Sequence, residues 1–111
     1  MDFLKRVYEG RKKYFDHLDI YLKEIKMIVQ NECLDAEVYL LGSVVEGEYS
    51  IGLSDIDVAI VSDRFKDRDK KLDVFGKLLK SFFDSPFEFH ILTSEQWETF
   101  RKLARNYVKV E

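Results

Sequence analysis

Leu41-Gly42-Ser43-Val44-Val45-Glu46-Gly47-Glu48-Tyr49-Ser50-Ile51-Gly52-Leu53-Ser54-Asp55-Ile56-Asp57-Val58 is the stretch that decides how this chain folds and what chemistry it can carry. Two short apolar runs bound it. Val38-Tyr39-Leu40-Leu41 stops at Gly42 in the manner of a buried strand. A second strand is expected over residues 55–62, Asp-Ile-Asp-Val-Ala-Ile-Val-Ser, apolar on both faces once past its acids. Residues 43–54 between them are rich in Gly and Ser and read as a long loop with room for one helical turn.

Asp55 and Asp57 alternate at the start of an extended run, so their side chains point to one face. Two carboxylates at the mouth of a buried strand repel each other and resist desolvation, and a positive partner offsets both effects. A hard divalent cation such as Mg²⁺ takes oxygen ligands and bridges phosphates. Turn chemistry competes with this reading: Ser54 or Asp55 bonding nearby backbone accounts for one acid, less easily for the second.

Upstream, residues 3–33 read as helix. Leu4, Val7, Arg11, Tyr14, Leu18, Leu22, Ile25 and Val29 recur at steps of three and four, with Arg11 as the only polar member. Gly10 is a candidate break. Downstream, residues 63–69 are polar, and a helix follows with Leu72, Phe75, Leu78, Leu79, Phe82 and Phe83 on one face until Ser85-Pro86 stops it. Residues 87–92, Phe-Glu-Phe-His-Ile-Leu, alternate as a third strand. Thr93 with Gln96 forms a capping signal for a last helix striped by Trp97, Phe100, Leu103, Ala104 and Tyr107. The expected order is α-β-loop-β-α-β-α: one α/β (α+β) domain over residues 1–111, with a small sheet of about three strands packed with helices.

A helix-containing crossover makes the second and third strands parallel and right-handed. Their starts then lie side by side, roughly 4.8 Å apart. Glu88 near the opening of the third strand becomes the third acid of the site. His90 shares its face one pleat deeper and is the second choice, as a ligand or as support for one.

Composition narrows the classes. The 111 residues are 46% apolar and 35% charged, with a formal net charge of -3, which argues against general nucleic-acid binding through a basic field. Cys33 is the single cysteine, so neither an internal disulfide nor a multi-thiolate metal site can form, and it reads as a small buried hydrophobe. No run approaches the ~20 apolar residues of a membrane span, and the first residues, Met-Asp-Phe-Leu-Lys-Arg, do not open a long apolar region. A cytoplasmic protein is expected. Arg64, Lys66, Arg68, Lys70 and Lys71 read first as a solvated helix start and second as a phosphate-reaching loop. Tyr49 is a minor candidate for contact with a base, His17 reads as surface, and the aromatics of the last helix read as core.

At this point the sequence resembles the nucleotidyltransferases of the DNA polymerase beta superfamily, most closely the minimal nucleotidyltransferases. The resemblance rests on Gly42-Ser43, Gly47 and Ser54-Asp55-Ile56-Asp57 in order and spacing, and the elements around them carry it over almost the whole chain. It implies a nucleotidyltransferase fold, with Gly42, Ser43 and Ser54 binding the nucleotide. Asp55, Asp57 and Glu88 would be catalytic and hold two Mg²⁺ ions, with Mn²⁺ as a substitute. The implied reaction moves a nucleoside monophosphate, AMP from ATP, onto an acceptor hydroxyl. Small members pair with a helical HEPN-type toxin, for which they act as antitoxin, or with a second copy of themselves; a catalytically weak nucleotide- or partner-binding module is the alternative. Two features depart from the pattern. The loop between Ser43 and Asp55 is one residue longer than usual, and Val44-Val45 stand where many relatives carry an Arg.

Overall fold

A computed structural model describes residues 2–104 and 106–111. Helices α1 (Asp2–Asp16) and α2 (Leu18–Glu32) lead into strand β1 (Glu37–Leu41). A one-turn helix α3 (Ser43–Glu46) precedes β2 (Ile56–Val61). A 3₁₀ turn (Asp63–Lys66), helix α4 (Arg68–Ser81), strand β3 (Phe87–Leu92), helix α5 (Ser94–Ala104) and strand β4 (Tyr107–Lys109) complete the chain.

The sheet runs β3-β2-β1-β4. β2 pairs parallel with β3 and antiparallel with β1, as the apolar character of β2 and the crossover through α4 require. The alternation of side chains sorts the sheet into two faces. Val38 of β1, Ile56, Val58 and Ile60 of β2 and Ile91 of β3 join Ile25 and Val29 of α2 and Val74 and Leu78 of α4 in the main core. Cys33 is fully buried in the same cluster, as its small apolar character suggested. On the opposite face Leu41, Ala59 and Val61 pack against Trp97 of α5, with Tyr39, Phe100 and Tyr107 around them. The aromatics of α5 are therefore core. The same parity places Asp57, Glu88 and His90 on the α5 face.

Three expectations shift. The long N-terminal helix breaks at His17 rather than Gly10: His17 leaves helical geometry (φ -122°, ψ 37°) while its N–H still bonds Lys13 O at 3.0 Å. The bend keeps Tyr14 and Phe15 buried where α2 turns to follow the sheet. On α4 the buried stripe is Val74 and Leu78, continued by Phe82, whereas Leu72, Phe75, Leu79 and Phe83 are exposed. A step of four selects the first set and leaves the second on a neighbouring face. Tyr107 lies not on the last helix but in a fourth strand, opposite Leu41, and Lys109 beside it pairs with Glu37 at 2.7 Å. Among the described residues no helix is long and apolar enough to cross a membrane.

Candidate active site

The sheet register assembles the site. Tyr107, Leu41, Asp57 and Glu88 stand in one row across β4, β1, β2 and β3, and two residues along, on the same face, Tyr39, Ala59 and His90 form another. The chain leaves β1 at Gly42, beside the start of β2. Gly42 has φ +84° and ψ -157°, and a Cβ on it would lie 2.9 Å from Asp57 Oδ2. Only a residue without a side chain lets the backbone pass this carboxylate. The one-turn helix that follows ends at Gly47, whose φ of +74° is the left-handed geometry of a helix C-terminus. Ser43 and Val44 begin this helix, and Val44 packs against the main core.

Asp57, Glu88 and His90 each present a ligand atom, and these atoms all lie within 4.8 Å of one another. His90 Nε2 lies 3.1 Å from Asp57 Oδ1. That hydrogen bond, strengthened by the aspartate charge, raises the imidazole above its ordinary value against a smaller opposing effect of burial. The Glu88 carboxyl is also held above its usual range, first by partial withdrawal from water and then by the charge of Asp57, with Asp55 adding a minor push and His90 pulling the other way. Glu88 remains exposed at the sheet edge, so solvent screens these effects. This donor set of two carboxylates and one imidazole suits a divalent ion such as Mg²⁺ or Mn²⁺.

Asp55 is exposed just before β2 and falls outside the tight cluster, although its charge reaches Glu88. Ser54 closes the loop on itself: its Oγ accepts the Ser50 N–H at 2.8 Å and its own N–H reaches Ser50 O at 2.7 Å. The turn chemistry weighed against a ligand role is thus real for Ser54, while Asp57 does something else. Tyr49 stacks on Phe15, with ring centroids 5.0 Å apart. The basic run after β2 lies at the other end of the strands. There Ser62 N–H bonds Leu92 O, and Lys70 pairs with Glu32 on α2. The solvated reading fits that run, because a parallel strand carries its follow-on segment away from the acids.

Two residues gain weight. His90 is bonded directly to Asp57, and strand parity was its signal in the sequence. Arg11 was marked only as the polar member of an apolar stripe; it donates from Nε to Ile51 O at 2.7 Å and from Nη2 to Ser54 O. Beside the acids a cleft of about 280 Å³ is lined by Leu41, Gly42, Asp57, His90, Phe100, Leu103 and Ala104. His90 and Phe100 are in ring contact across it, with centroids 4.9 Å apart.

Comparison with known proteins places this geometry. The model of the nucleotidyltransferase domain matches residues 19–110. A crystal structure of a protein assigned as a nucleotidyltransferase is 60% identical, with a TM-score of 0.74, over 82% of this chain and 98% of the other. A second such structure, from Sulfolobus solfataricus, is 19% identical with a TM-score of 0.52, over 90% of this chain and 88% of the other. Cid1, solved with its short product ApU, is 19% identical with a TM-score of 0.54, over 93% of this chain and 34% of Cid1. These last two share the fold. No curated protein is matched significantly.

Proposed function

This chain belongs to the nucleotidyltransferase domain family as a minimal, polymerase beta-like member, and from that premise we propose that it transfers AMP from ATP to an acceptor hydroxyl. One observation carries the reading: Asp57, Glu88 and His90 converge within 4.8 Å, directly beside a glycine whose missing side chain leaves room at Asp57.

In this proposal Asp57 and Glu88 hold divalent cation, Asp55 adds a carboxylate from the same face, and His90 fixes the orientation of Asp57 through its 3.1 Å contact. Two Mg²⁺ ions, replaceable by Mn²⁺, would neutralise charge as the hydroxyl attacks the α-phosphate in line and pyrophosphate leaves. Gly42 lets the backbone approach the phosphates, and the Ser43 hydroxyl and N–H are placed to contact them. Ser54, bonded within its own loop, holds the Asp55 segment and can still donate its hydroxyl proton. Glu88 would hold the ion that activates the acceptor hydroxyl, or itself serve as the base that takes its proton. The cleft beside Phe100 and Leu103 offers an apolar wall to the base or the acceptor.

The acceptor is proposed to lie on another polypeptide, a helical HEPN-type partner for which this chain acts as antitoxin, or on a second copy of the chain. A partner-binding module with weak catalysis is the second reading. Val44 favours it: packed on the core, it leaves the turn after Gly42 without the guanidinium that many relatives offer there. Incubation with labelled ATP, Mg²⁺ and candidate partners, alongside Asp55→Ala/Asp57→Ala, separates the two. Label on a partner that disappears in the double variant supports transfer; no label with any partner and no Mg²⁺-dependent nucleotide binding sinks it.

A further inference from the structure

Helix α1 lies outside residues 19–110, the span that matches the family model. Residues 2–10 are all exposed, so the helix is held to the rest of the molecule by its second half. Its holds fall on the two segments that deliver the acids. Arg11 reaches two carbonyls of the loop before β2, those of Ile51 and Ser54, and the Ser54 carbonyl belongs to the peptide bond that enters Asp55. Phe15 stacks on Tyr49 in the same loop, with planes 10° apart. Tyr14 meets the edge of Phe87, the residue before Glu88, with centroids at 5.6 Å.

We propose that α1 is a splint across the mouths of β2 and β3, and that Arg11 is a positioning residue that sets the loop carrying Asp55 into β2, and so to Asp57, for cation binding. The physical need is plain. Between α3 and β2 the chain runs through Gly47, Ser50, Gly52 and Ser54, and its internal bonds are short-range. Such a loop samples many conformations unless something outside it fixes a peptide plane. A guanidinium does this well, because its rigid fork donates to two carbonyls at once. The cation-holding role of the acids rests on the function proposed above; the fixing of the loop does not.

The test uses the full chain with Arg11→Gln and Arg11→Lys. Amide hydrogen exchange of residues 48–55 reads the loop, and Mn²⁺ titration without nucleotide reads the site. Arg11→Gln is expected to stay folded, to exchange faster in residues 48–55 and not in β2 or β3, and to bind Mn²⁺ about 10-fold more weakly, the scale of losing a group that orients a ligand. Arg11→Lys, which keeps the charge but lacks the rigid planar fork, is expected to restore part of each effect. If the glutamine variant fails to fold, the lysine variant is read against wild type in the same two measurements. Loop exchange equal to wild type in a folded variant overturns the splint. Faster exchange with unchanged Mn²⁺ affinity overturns the positioning role. If wild type itself binds no Mn²⁺, the metal reading of the acids fails, and loop exchange alone decides the splint.

Discussion

Replacing Gly42 with alanine tests the closest packing in the site. Two costs add. At φ +84°, ψ -157° the backbone occupies a region held almost only by glycine, and forcing another residue there costs about 1–3 kcal/mol. The new Cβ would also stand 2.9 Å from Asp57 Oδ2, so the carboxylate must swing away and loosen its 3.1 Å contact with His90. Asp57 is partly solvated and can recover some of that bond from water, so the second cost is about 1 kcal/mol. A total of about 2–4 kcal/mol corresponds to a melting temperature lowered by roughly 10–20 °C in a domain of this size. Gly47→Ala is the control: its φ is +74°, but nothing lies within 4 Å of an added Cβ. It carries only the backbone cost, about 1–2 kcal/mol. Thermal unfolding and Mn²⁺ titration are run on both variants. Gly42→Ala should lose more stability and most of its metal affinity, whereas Gly47→Ala should lose stability alone. Equal melting temperatures with intact Mn²⁺ binding in both would refute the claim that Gly42 exists to clear Asp57.

Two further predictions concern the resting protein. Because His90 titrates above its ordinary value of 6.5 when folded, its pair with Asp57 contributes stability that is complete below that value and lost as pH rises through the raised one. In EDTA, the melting temperature of wild type should therefore fall from about pH 6 to about pH 8 more steeply than that of His90→Gln; parallel curves would remove the pair. Asp67 caps α4 by accepting from the N–H groups of Asp69 (2.9 Å) and Lys70 (3.4 Å). Asp67→Ala should cost about 1 kcal/mol in urea unfolding and leave Mn²⁺ affinity untouched, since the cap lies at the far end of the strands; a stability unchanged from wild type would show the cap to be idle.

Much of this architecture is legible in the sequence, and the reasons are local. β3 over Phe87–Leu92 shows strict alternation between a turn and a capping signal, and Thr93 N–H does bond Gln96 Oε1 at 2.9 Å. The parallel pairing of β2 and β3 follows from the crossover, and with it the meeting of Asp57 and Glu88 in one row. The errors come from patterns that fit two answers. Tyr107 suits both a helical stripe and a short strand, and only the unpaired edge of β1 decides for the strand. Leu72, Phe75 and Leu79 suit a helix face as well as Val74 and Leu78 do, and the position of the sheet selects between them. Arg11 is invisible as a functional residue because its partners are backbone carbonyls far along the chain, which no side-chain pattern records.

The row Leu41, Asp57, Glu88 has a consequence for how the molecule reaches its native state. Its acids belong to distant segments, so no local stretch of chain can grip a cation in advance. The crossover through α4 must close first, a non-local step that comes late because loop-closure entropy opposes it. Binding and folding are therefore linked: an ion that recognises only the closed sheet raises stability with its concentration, and chelation lowers it. The supply of an ion held there would then govern how much of this chain is folded.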